Sequence, residues 1–511
     1  MEGYKGLYGM HKYWGKKPFN EISSYIERFS KKGNLVLDCF AGSGITLIEA
    51  AKIGRKAYGV DLNPIATLLT EVSLSPVEID LLDTEFERIR NELEEKIRVL
   101  YQDASDPLNN QTTHVIWEDG KPIEVWYRTP NSRKEIRRAD ESDLKMALEP
   151  AIAPKWYPTV ELFQNSRINV SEGQKVADLF TPRALSALSH IYESVEAIEN
   201  EDIKRVFKIV FTGALSQASR LVFVIRRRGK GAKENEDRAE VGSWVIGYWV
   251  PKEHFEINAW NCFENRFKRV RRGVSEVNEL FGSDGTPLGK EVQVELGSAT
   301  KISLQNDSVD YAFIDPPHAN RVLYMEQSLM WNSWLKLENR IDWESEIIVS
   351  EASSRSKKDT SDYFALLGGT FDEIRRCLKK DHKLSIVFNS LDDDTWSQLI
   401  NILIERGFEL NEVAPLSYSA SSVVQDNRAN ALKNDLVLTF SNTRKRSGKK
   451  FVFDRNSEIL RQEIQKIINN NPDIEFYEVW TQLFLEKSSS GAIFKPSEIL
   501  KEYNSMRREG V

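Results

Sequence analysis

The first 75 residues alternate between short apolar runs, which predict buried strands, and longer amphipathic stretches, which predict helices. The predicted elements are a helix over 19–29, a strand over 34–39, a helix over 46–52 and a strand over 56–61. Asn63-Pro64 then begins another helix, because it combines a capping residue with a proline suited to the first turn. This order, over roughly thirty residues, is a β-turn-α-β unit, which is the opening half of a nucleotide-type sheet.

Residues 76–290 follow a different pattern, which begins with a charged amphipathic helix and continues with a hairpin. The hairpin is predicted over 112–127, where apolar and polar residues alternate around Asp119-Gly120. The further predicted elements are helices over 182–197 and 202–225, a short aromatic strand over 244–250 and a helix over 253–272. This mixture predicts an α+β insertion.

Strands and helices alternate again from residue 292. The predicted strands span 292–296, 309–314, 383–389, 408–413 and 435–440, and the predicted helices span 323–334, 363–378 and 396–405. We therefore predict an α/β fold with a mostly parallel, Rossmann-like sheet, split by a large mixed α+β insertion and followed by a small helical C-terminal region. The predicted bounds are 1–75 and 291–445 for the two halves of the core, 76–290 for the insertion and 446–511 for the C-terminal extension.

Composition narrows the setting in which the protein works. Hydrophobic residues make up 41% of the chain, and no apolar run is long enough to cross a bilayer, so we expect no membrane association. The first 18 residues lack the apolar core of a signal peptide, and three scattered cysteines predict neither a disulfide framework nor a metal cluster. These features predict a cytoplasmic protein without a bound metal. The net charge of -7 argues against general polyanion binding.

The loop 38–44, with the sequence DCFAGSG, connects a predicted strand to a predicted helix. Its glycines let the backbone approach a ligand, and the helix that follows offers free amide donors. The third glycine of a dinucleotide motif is missing and Asp38 would repel phosphate, so the loop favours a ligand with a cationic or hydroxyl-rich part. A purely structural turn is the alternative.

Two neighbouring features belong to the same predicted edge. Asp61 ends the second strand, where an acid can accept hydrogen bonds from ribose hydroxyls. Asp61 and Asn63 could equally serve only to cap the next helix. The aromatic and basic segment 11–18, HKYWGKKP, either borders the ligand, contacts a phosphate backbone or forms a disordered lead-in.

A second candidate site follows the predicted strand 309–314, in the turn Asp315-Pro316-Pro317-His318. Two prolines end the strand and stiffen the turn. An acid, an exposed carbonyl and a flat ring are therefore held at the carboxyl end of a strand, where open α/β sheets bind ligands. Taken alone, the turn could also be only a stop between a strand and a helix.

Together, these motifs resemble the S-adenosylmethionine-dependent DNA amino-methyltransferases, which methylate adenine N6 or cytosine N4. The resemblance rests on FAGSG at 40–44, GVDLNP at 59–64, DPP at 315–317 and the lead-in at 11–18. It implies a methyltransferase core in two halves, with the insertion as the target-recognition and DNA-binding region. It also implies site-specific methylation of a flipped base in double-stranded DNA, within restriction-modification or phage defence. A cognate subunit of such a system is then a further expected partner.

The resemblance assigns a role to each motif. Asp315 and the Pro316 carbonyl would accept the two N–H groups of the base amine, Pro317 would complete the rigid turn, and His318 stands where relatives carry a stacking Tyr or Phe. An Asp at the first position favours adenine over cytosine. The residues expected to bind S-adenosylmethionine are Lys17, Pro18, Asp38, Phe40, Ala41, Gly42, Gly44, Asp61, Asn63 and Ser298. Ser298 departs from the acid or amide that relatives often have there.

Basic residues of the insertion are candidates for DNA contact. Arg226, Arg227, Arg228 and Lys230 form a glycine-containing loop, whereas Arg271 and Arg272 crowd a predicted helix end, where the helix dipole alone also favours cations. Relatives often carry a zinc ribbon in the insertion, but the hairpin over 112–127 has no cysteine, so we expect no zinc. Three alternatives stay open: a cytosine N4 enzyme, an RNA amino-methyltransferase and a non-catalytic DNA-binding subunit with this fold.

Overall fold

The computed structural model describes most of the chain. The described residues are 5–165, 168–227, 238–282, 291–319, 322–350, 357–390, 393–416, 435–445, 452–454, 456–488 and 492–508. Within these ranges no helix combines the length and the apolar character that a membrane crossing requires.

Fourteen helices and fifteen strands are labelled here in chain order. The helices are α1 Phe19–Phe29, α2 Ile45–Lys52, α3 Pro64–Leu74, α4 Ile79–Leu100, α5 Glu141–Leu148, α6 Pro182–Glu196, α7 Glu201–Ala218, α8 Ala259–Phe281, α9 Tyr324–Trp334, α10 Thr360–Cys377, α11 Asp393–Glu405, α12 Ser457–Asn470, α13 Phe476–Ser488 and α14 Pro496–Arg508. The strands are β1 Leu35–Asp38, β2 Lys56–Asp61, β3 Gln111–Glu118, β4 Lys121–Arg128, β5 Glu135–Arg138, β6 Val222–Arg227, β7 Arg238–Trp244, β8 Glu253–Ile257, β9 Val292–Leu296, β10 Val309–Ile314, β11 Leu378–Phe388, β12 Phe408–Pro415, β13 Leu436–Asn442, β14 Val452–Phe453 and β15 Ala492–Ile493.

The central sheet has seven strands in the order β12-β13-β11-β10-β1-β2-β9. All pairs from β11 to β9 are parallel, and β13 is antiparallel to both of its neighbours. This confirms the predicted α/β fold with a mostly parallel, Rossmann-like sheet. The chain leaves β1 towards β2 on one side and returns in β10 on the other. The crevice beyond the carboxyl ends of β1 and β10 is therefore the position where open α/β sheets bind ligands.

Each face of this sheet covers a different hydrophobic core, because successive side chains of a strand point to opposite faces. Val36, Tyr311 and Phe313 belong to the core that continues into the amino-terminal segment and the insertion. Leu37 and Ala312 belong to the core that includes α10, α11 and the C-terminal helices. The three C-terminal helices thus pack on the sheet's second core.

Residues between the two halves of the sheet build a second sheet of six antiparallel strands, in the order β5-β4-β3-β8-β6-β7. The predicted hairpin is present as β3 and β4. Its turn residues Asp119 and Gly120 have φ values of 45° and 80°, and a two-residue hairpin turn with positive φ at both positions matches the right-handed twist of the strands. The domain bounds at 75, 290 and 445 stay predictions.

Three predicted elements of the insertion were wrong. The helix predicted to end at 225 ends at Ala218, and its last residues form β6; the strand predicted over 244–250 ends at Trp244; and the helix predicted from 253 begins at Ala259, after β8. β6 and β8 are apolar runs whose partners β7 and β3 lie far away in the sequence. Over such short runs periodicity alone does not separate a strand from a buried helix.

Candidate active site

One cavity lies beyond the carboxyl ends of β1, β2 and β10, and it brings the predicted motifs together. The predicted site residues that line it are Lys17, Asp38, Phe40, Ala41, Gly42, Asp61, Asn63, Ser298, Asp315 and Pro317. Pro18, Gly44, Pro316 and His318 are not among its lining residues but adjoin them in the chain. Motifs more than 250 residues apart in sequence therefore face one space.

The glycine loop after β1 has a backbone that only glycine fits well. Gly42 and Gly44 have φ values of 52° and 79°, in the region that L side chains rarely adopt. A Cβ atom at Gly44 would also lie 2.7 Å from the Thr70 side chain. The Ala41 amide donates to the Val60 carbonyl at 3.0 Å, which ties the loop to β2.

The two acids of the first half are held by backbone amides of their own loops. Asp38 accepts from the Phe40 amide at 3.0 Å, and Asp61 accepts from the Gly42 amide at 2.7 Å and the Asn63 amide at 2.8 Å. Burial raises the pKa of Asp38 to about 7 and that of Asp61 to about 6, although these hydrogen bonds oppose the effect. Both carboxyls therefore change charge near neutral pH.

Asn63 precedes α3, but its side chain makes no capping hydrogen bond there. Its amide nitrogen instead donates to Ser328 Oγ at 2.7 Å and to the Tyr13 hydroxyl at 3.3 Å, and its oxygen accepts from Asn332 at 3.0 Å. Asn63 thus connects the amino-terminal segment with α9, the helix that follows the Pro-Pro turn.

The amino-terminal segment is packed into the protein, so the expectation of a disordered lead-in was wrong. Trp14 stacks on Trp331 with ring centroids 4.8 Å apart, and His11 meets the same indole edge-on at 4.7 Å. Burial lowers the pKa of His11 to about 3, so its imidazole is neutral. Tyr13 and Trp14 also line the cavity.

The Pro-Pro turn is fixed from several sides. The Pro317 carbonyl accepts from the Tyr363 hydroxyl at 2.7 Å. The Asp315 carboxylate lies 3.4 Å from Lys17 Nζ through Oδ2 and 3.5 Å from His318 Nε2 through Oδ1. The His318 ring meets Phe388 edge-on, with centroids 5.0 Å apart.

Asp435 is a buried neighbour of this turn that sequence reasoning missed. Lys17 Nζ donates to its Oδ2 at 2.6 Å, and Asn389 Nδ2 donates to its Oδ1 at 2.9 Å. Burial alone would raise the pKa of Asp435, but Lys17, His318 and Asn389 together lower it below its usual value. The residue lies in no motif, and only the antiparallel entry of β13 brings it to this edge.

A second missed feature is the lining segment Ser345–Ile348, which follows α9 by about ten residues. The buried Lys358 holds it, because its ammonium donates to the carbonyls of Trp343, Glu344 and Glu346 at 3.2, 2.5 and 2.7 Å. Ser298, on the other side of the cavity, hydrogen-bonds Thr300 at 2.8 Å. The segment carries no motif, so its position could not be read from the sequence.

Comparisons with known proteins agree with this geometry. The model of the DNA methylase family that covers N6 and N4 enzymes matches residues 3–70, which include the glycine loop and Asp61. The chain belongs to the DNA amino-methyltransferase family.

Several members of that family are similar to this chain. Type II methyltransferase M.MjaII of Methanocaldococcus jannaschii is 21% identical over 408 residues, which cover 76% of this chain and 73% of the relative. Type II methyltransferase M.MvaI of Kocuria varians is 28% identical over 115 residues, or 22% of each chain. Type II methyltransferase M1.MboII of Moraxella bovis is 41% identical over 64 residues, which are 12% of this chain and 25% of the relative.

The basic candidates of this methyltransferase lie away from the cavity lining. Arg226, on β6, donates to Glu253 at 3.0 Å, and Arg227 ends that strand; Arg228 and Lys230 lie outside the described residues. Arg271 donates to Asp83 at 2.6 and 2.7 Å, and Arg272 donates to the Lys268 carbonyl at 3.2 Å. Both lie in the middle of α8, so the expected helix end was wrong, and a helix dipole does not account for this cluster.

Metal ligands do not gather in the part of the chain that the structure describes: no group of three or more His, Cys, Asp or Glu side chains could hold an ion there. Cys39, Cys262 and Cys377 are buried and free.

Proposed function

We propose that this protein transfers a methyl group from S-adenosylmethionine to the exocyclic amine of a flipped base in double-stranded DNA, most favourably adenine N6. The observation that carries the proposal is the shared cavity, in which Asp315 and Pro317 face the glycine loop and Asp61. The printed names of the relatives, all Type II methyltransferases, support the reaction class.

The cavity residues fit S-adenosylmethionine. Asp61 keeps lone pairs for ribose hydroxyls, since a carboxylate offers about four acceptor sites and two backbone amides occupy only part of them. Phe40 and Ser298 line the same cavity and would border the adenine, whereas Asp38 would face the cationic part. Gly42 lets the backbone come close. When bound there, S-adenosylmethionine supplies a methyl group attached to a positively charged sulfur.

The Pro-Pro turn would activate the amine. An exocyclic amine is a weak nucleophile, because its lone pair is delocalised into the base. Asp315 and the Pro316 carbonyl can accept its two N–H groups and so hold the nitrogen in a geometry that restores the lone pair. The Tyr363 hydroxyl fixes the next carbonyl and thereby the direction of the turn. When the nitrogen acquires a fourth bond, Asp315 is placed to take the surplus proton.

The surrounding regions would supply recognition. A base inside a duplex cannot reach this cavity, so it must be flipped out and stacked on a flat ring, which we assign to His318. The six-stranded sheet region would read the DNA, with Arg226, Arg227, Arg228, Lys230, Arg271 and Arg272 as phosphate contacts. We infer a cytoplasmic role in restriction-modification or phage defence, next to a cognate subunit.

Substrate class is the point to test. Purified protein is incubated with methyl-labelled S-adenosylmethionine and, in parallel, with duplex DNA from a methylation-free host, total RNA or DNA-free protein extract. We expect label in DNA only, and Asp315→Ala to abolish it. Label in RNA alone would replace the proposal with an RNA amino-methyltransferase, and DNA binding without transfer would indicate a non-catalytic subunit.

A further inference from the structure

Three neighbouring strands of the central sheet place polar side chains at one edge. Asp315 follows β10 and Asn389 follows β11, both at carboxyl ends. Asp435 precedes β13, and because β13 runs antiparallel to β11, with Leu436 opposite Phe388, its amino end lies at the same edge. Lys17 reaches this edge from the segment before α1. The four side chains come from four separate parts of the sequence.

Lys17 is shared unequally between two carboxylates. Its ammonium lies 2.6 Å from Asp435 and 3.4 Å from Asp315. Only the first distance is that of a charge-assisted hydrogen bond. The side chains of Asp435 and Lys17 are 5% and 12% exposed, whereas that of Asp315 is 24% exposed. The tight pair is therefore buried and Asp315 is left on the open side.

Asn389 fixes which oxygen of Asp435 faces the lysine. Its amide donates to Oδ1, and Oδ2 is turned to Lys17. Asn389 is itself only 2% exposed, so it is held by packing. Asp435 thus presents a fixed anion that draws the ammonium away from the catalytic turn.

This arrangement matters because Lys17 and a substrate amine would compete for the same acceptor. In a site of low polarity, an ammonium that loses one carboxylate is drawn strongly to the next. If Lys17 moved into direct hydrogen-bond contact with Asp315, it would occupy lone pairs that the N–H groups of the base require.

We propose that Asp435 is a positioning residue of the active site: it holds the Lys17 ammonium off Asp315, so that the Asp315 carboxylate keeps its acceptor positions for the amine. The role of the amine rests on the proposed function, but the placement of Lys17 does not.

The test uses Asp435→Asn, Lys17→Met and the double variant in the full-length protein. Crystal structures of the wild type and Asp435→Asn measure the distance from Lys17 Nζ to Asp315. We expect it to shorten from 3.4 Å to about 2.8 Å in the variant, the length of a charge-assisted hydrogen bond. A lysine that keeps its distance from Asp315 in Asp435→Asn would overturn the proposal whatever the enzyme's substrate.

Methyl-transfer rates at saturating cofactor give the second readout. Asp435→Asn should slow transfer by at least tenfold, Lys17→Met by less, and the double variant should recover to the level of Lys17→Met, because the blocking ammonium is gone. A residue needed only for folding would show no such recovery, and a double variant as slow as Asp435→Asn would contradict the proposal. Wild-type inactivity would instead sink the proposed function, while the crystal distance still decides the positioning role.

Asp310→Asn is the matched control. Asp310 lies on the same sheet and pairs with Lys379 at 2.6 Å, but it is near the other end of β10. Its substitution removes a similar Asp–Lys pair and should leave both the Lys17–Asp315 distance and the transfer rate unchanged.

Discussion

The two halves of the active site hold their carboxylates by different means. Asp38 and Asp61 accept hydrogen bonds from backbone amides within a few residues or in the adjoining loop. Asp315 and Asp435 are instead placed by Lys17, a side chain that is separated from Asp435 by 418 residues. The first half is thus built by local loop geometry and the second by tertiary contacts. Substitutions should therefore affect cofactor binding and transfer separately.

The largest effect should come from the second half. Asp315→Ala removes an acceptor that acts when charge develops on the amine, so we expect the transfer rate to fall by about a thousandfold, in the range found for such groups. Cofactor affinity, measured by titration calorimetry, should stay within about twofold. A transfer rate near that of the wild type would remove Asp315 from the catalytic assignment.

The matching change in the first half is Asp61→Ala. It removes the acceptor proposed for the ribose hydroxyls and leaves the Gly42 and Asn63 amides without their carboxylate partner. The loss of about 1–3 kcal/mol predicts cofactor binding that is roughly tenfold to a hundredfold weaker. Transfer at saturating cofactor should change little. An unchanged dissociation constant in calorimetry would refute the role of Asp61.

The comparison of the two halves also reflects what the sequence could predict. The glycine loop, Asp61 and the Pro-Pro turn were recognisable because each depends on residues adjacent in the chain. Asp435 and the Ser345–Ile348 segment were not, because their positions depend on the entry of β13 and on the buried Lys358. The same reasoning explains why β6 and β8 were mistaken for helix, since their partners are distant strands.

Acidity offers a way to sharpen the comparison. The pKa values of about 7 for Asp38 and about 6 for Asp61 mean that both become neutral as the pH falls from 8 to 5. A cationic ligand binds the charged carboxylates, so cofactor affinity should fall at least tenfold over this range. Asp38→Asn should remove the part of this dependence near pH 7. An affinity that is flat from pH 8 to 5, or rises on acidification, would contradict the assignment.

His318 allows the smallest and most selective test. If its ring stacks on the flipped base, His318→Ala should weaken transfer by roughly tenfold, since base stacking contributes about 1–3 kcal/mol. His318→Phe should equal or exceed the wild type, because a larger aromatic face stacks better. Steady-state rates on one duplex compare the two. Equal losses in both variants would show that the imidazole acts through its nitrogens, next to Asp315, and not as a flat surface.

The central claim is that the Pro-Pro turn directs methyl transfer to the amine of adenine. Nucleoside analysis by mass spectrometry, after incubation of methylation-free duplex DNA with the protein and S-adenosylmethionine, tests it most directly. We predict N6-methyladenine with the wild type and none with Asp315→Ala. N4-methylcytosine alone would contradict the adenine assignment, and N6-methyladenine formed equally by both proteins would contradict the role of the turn.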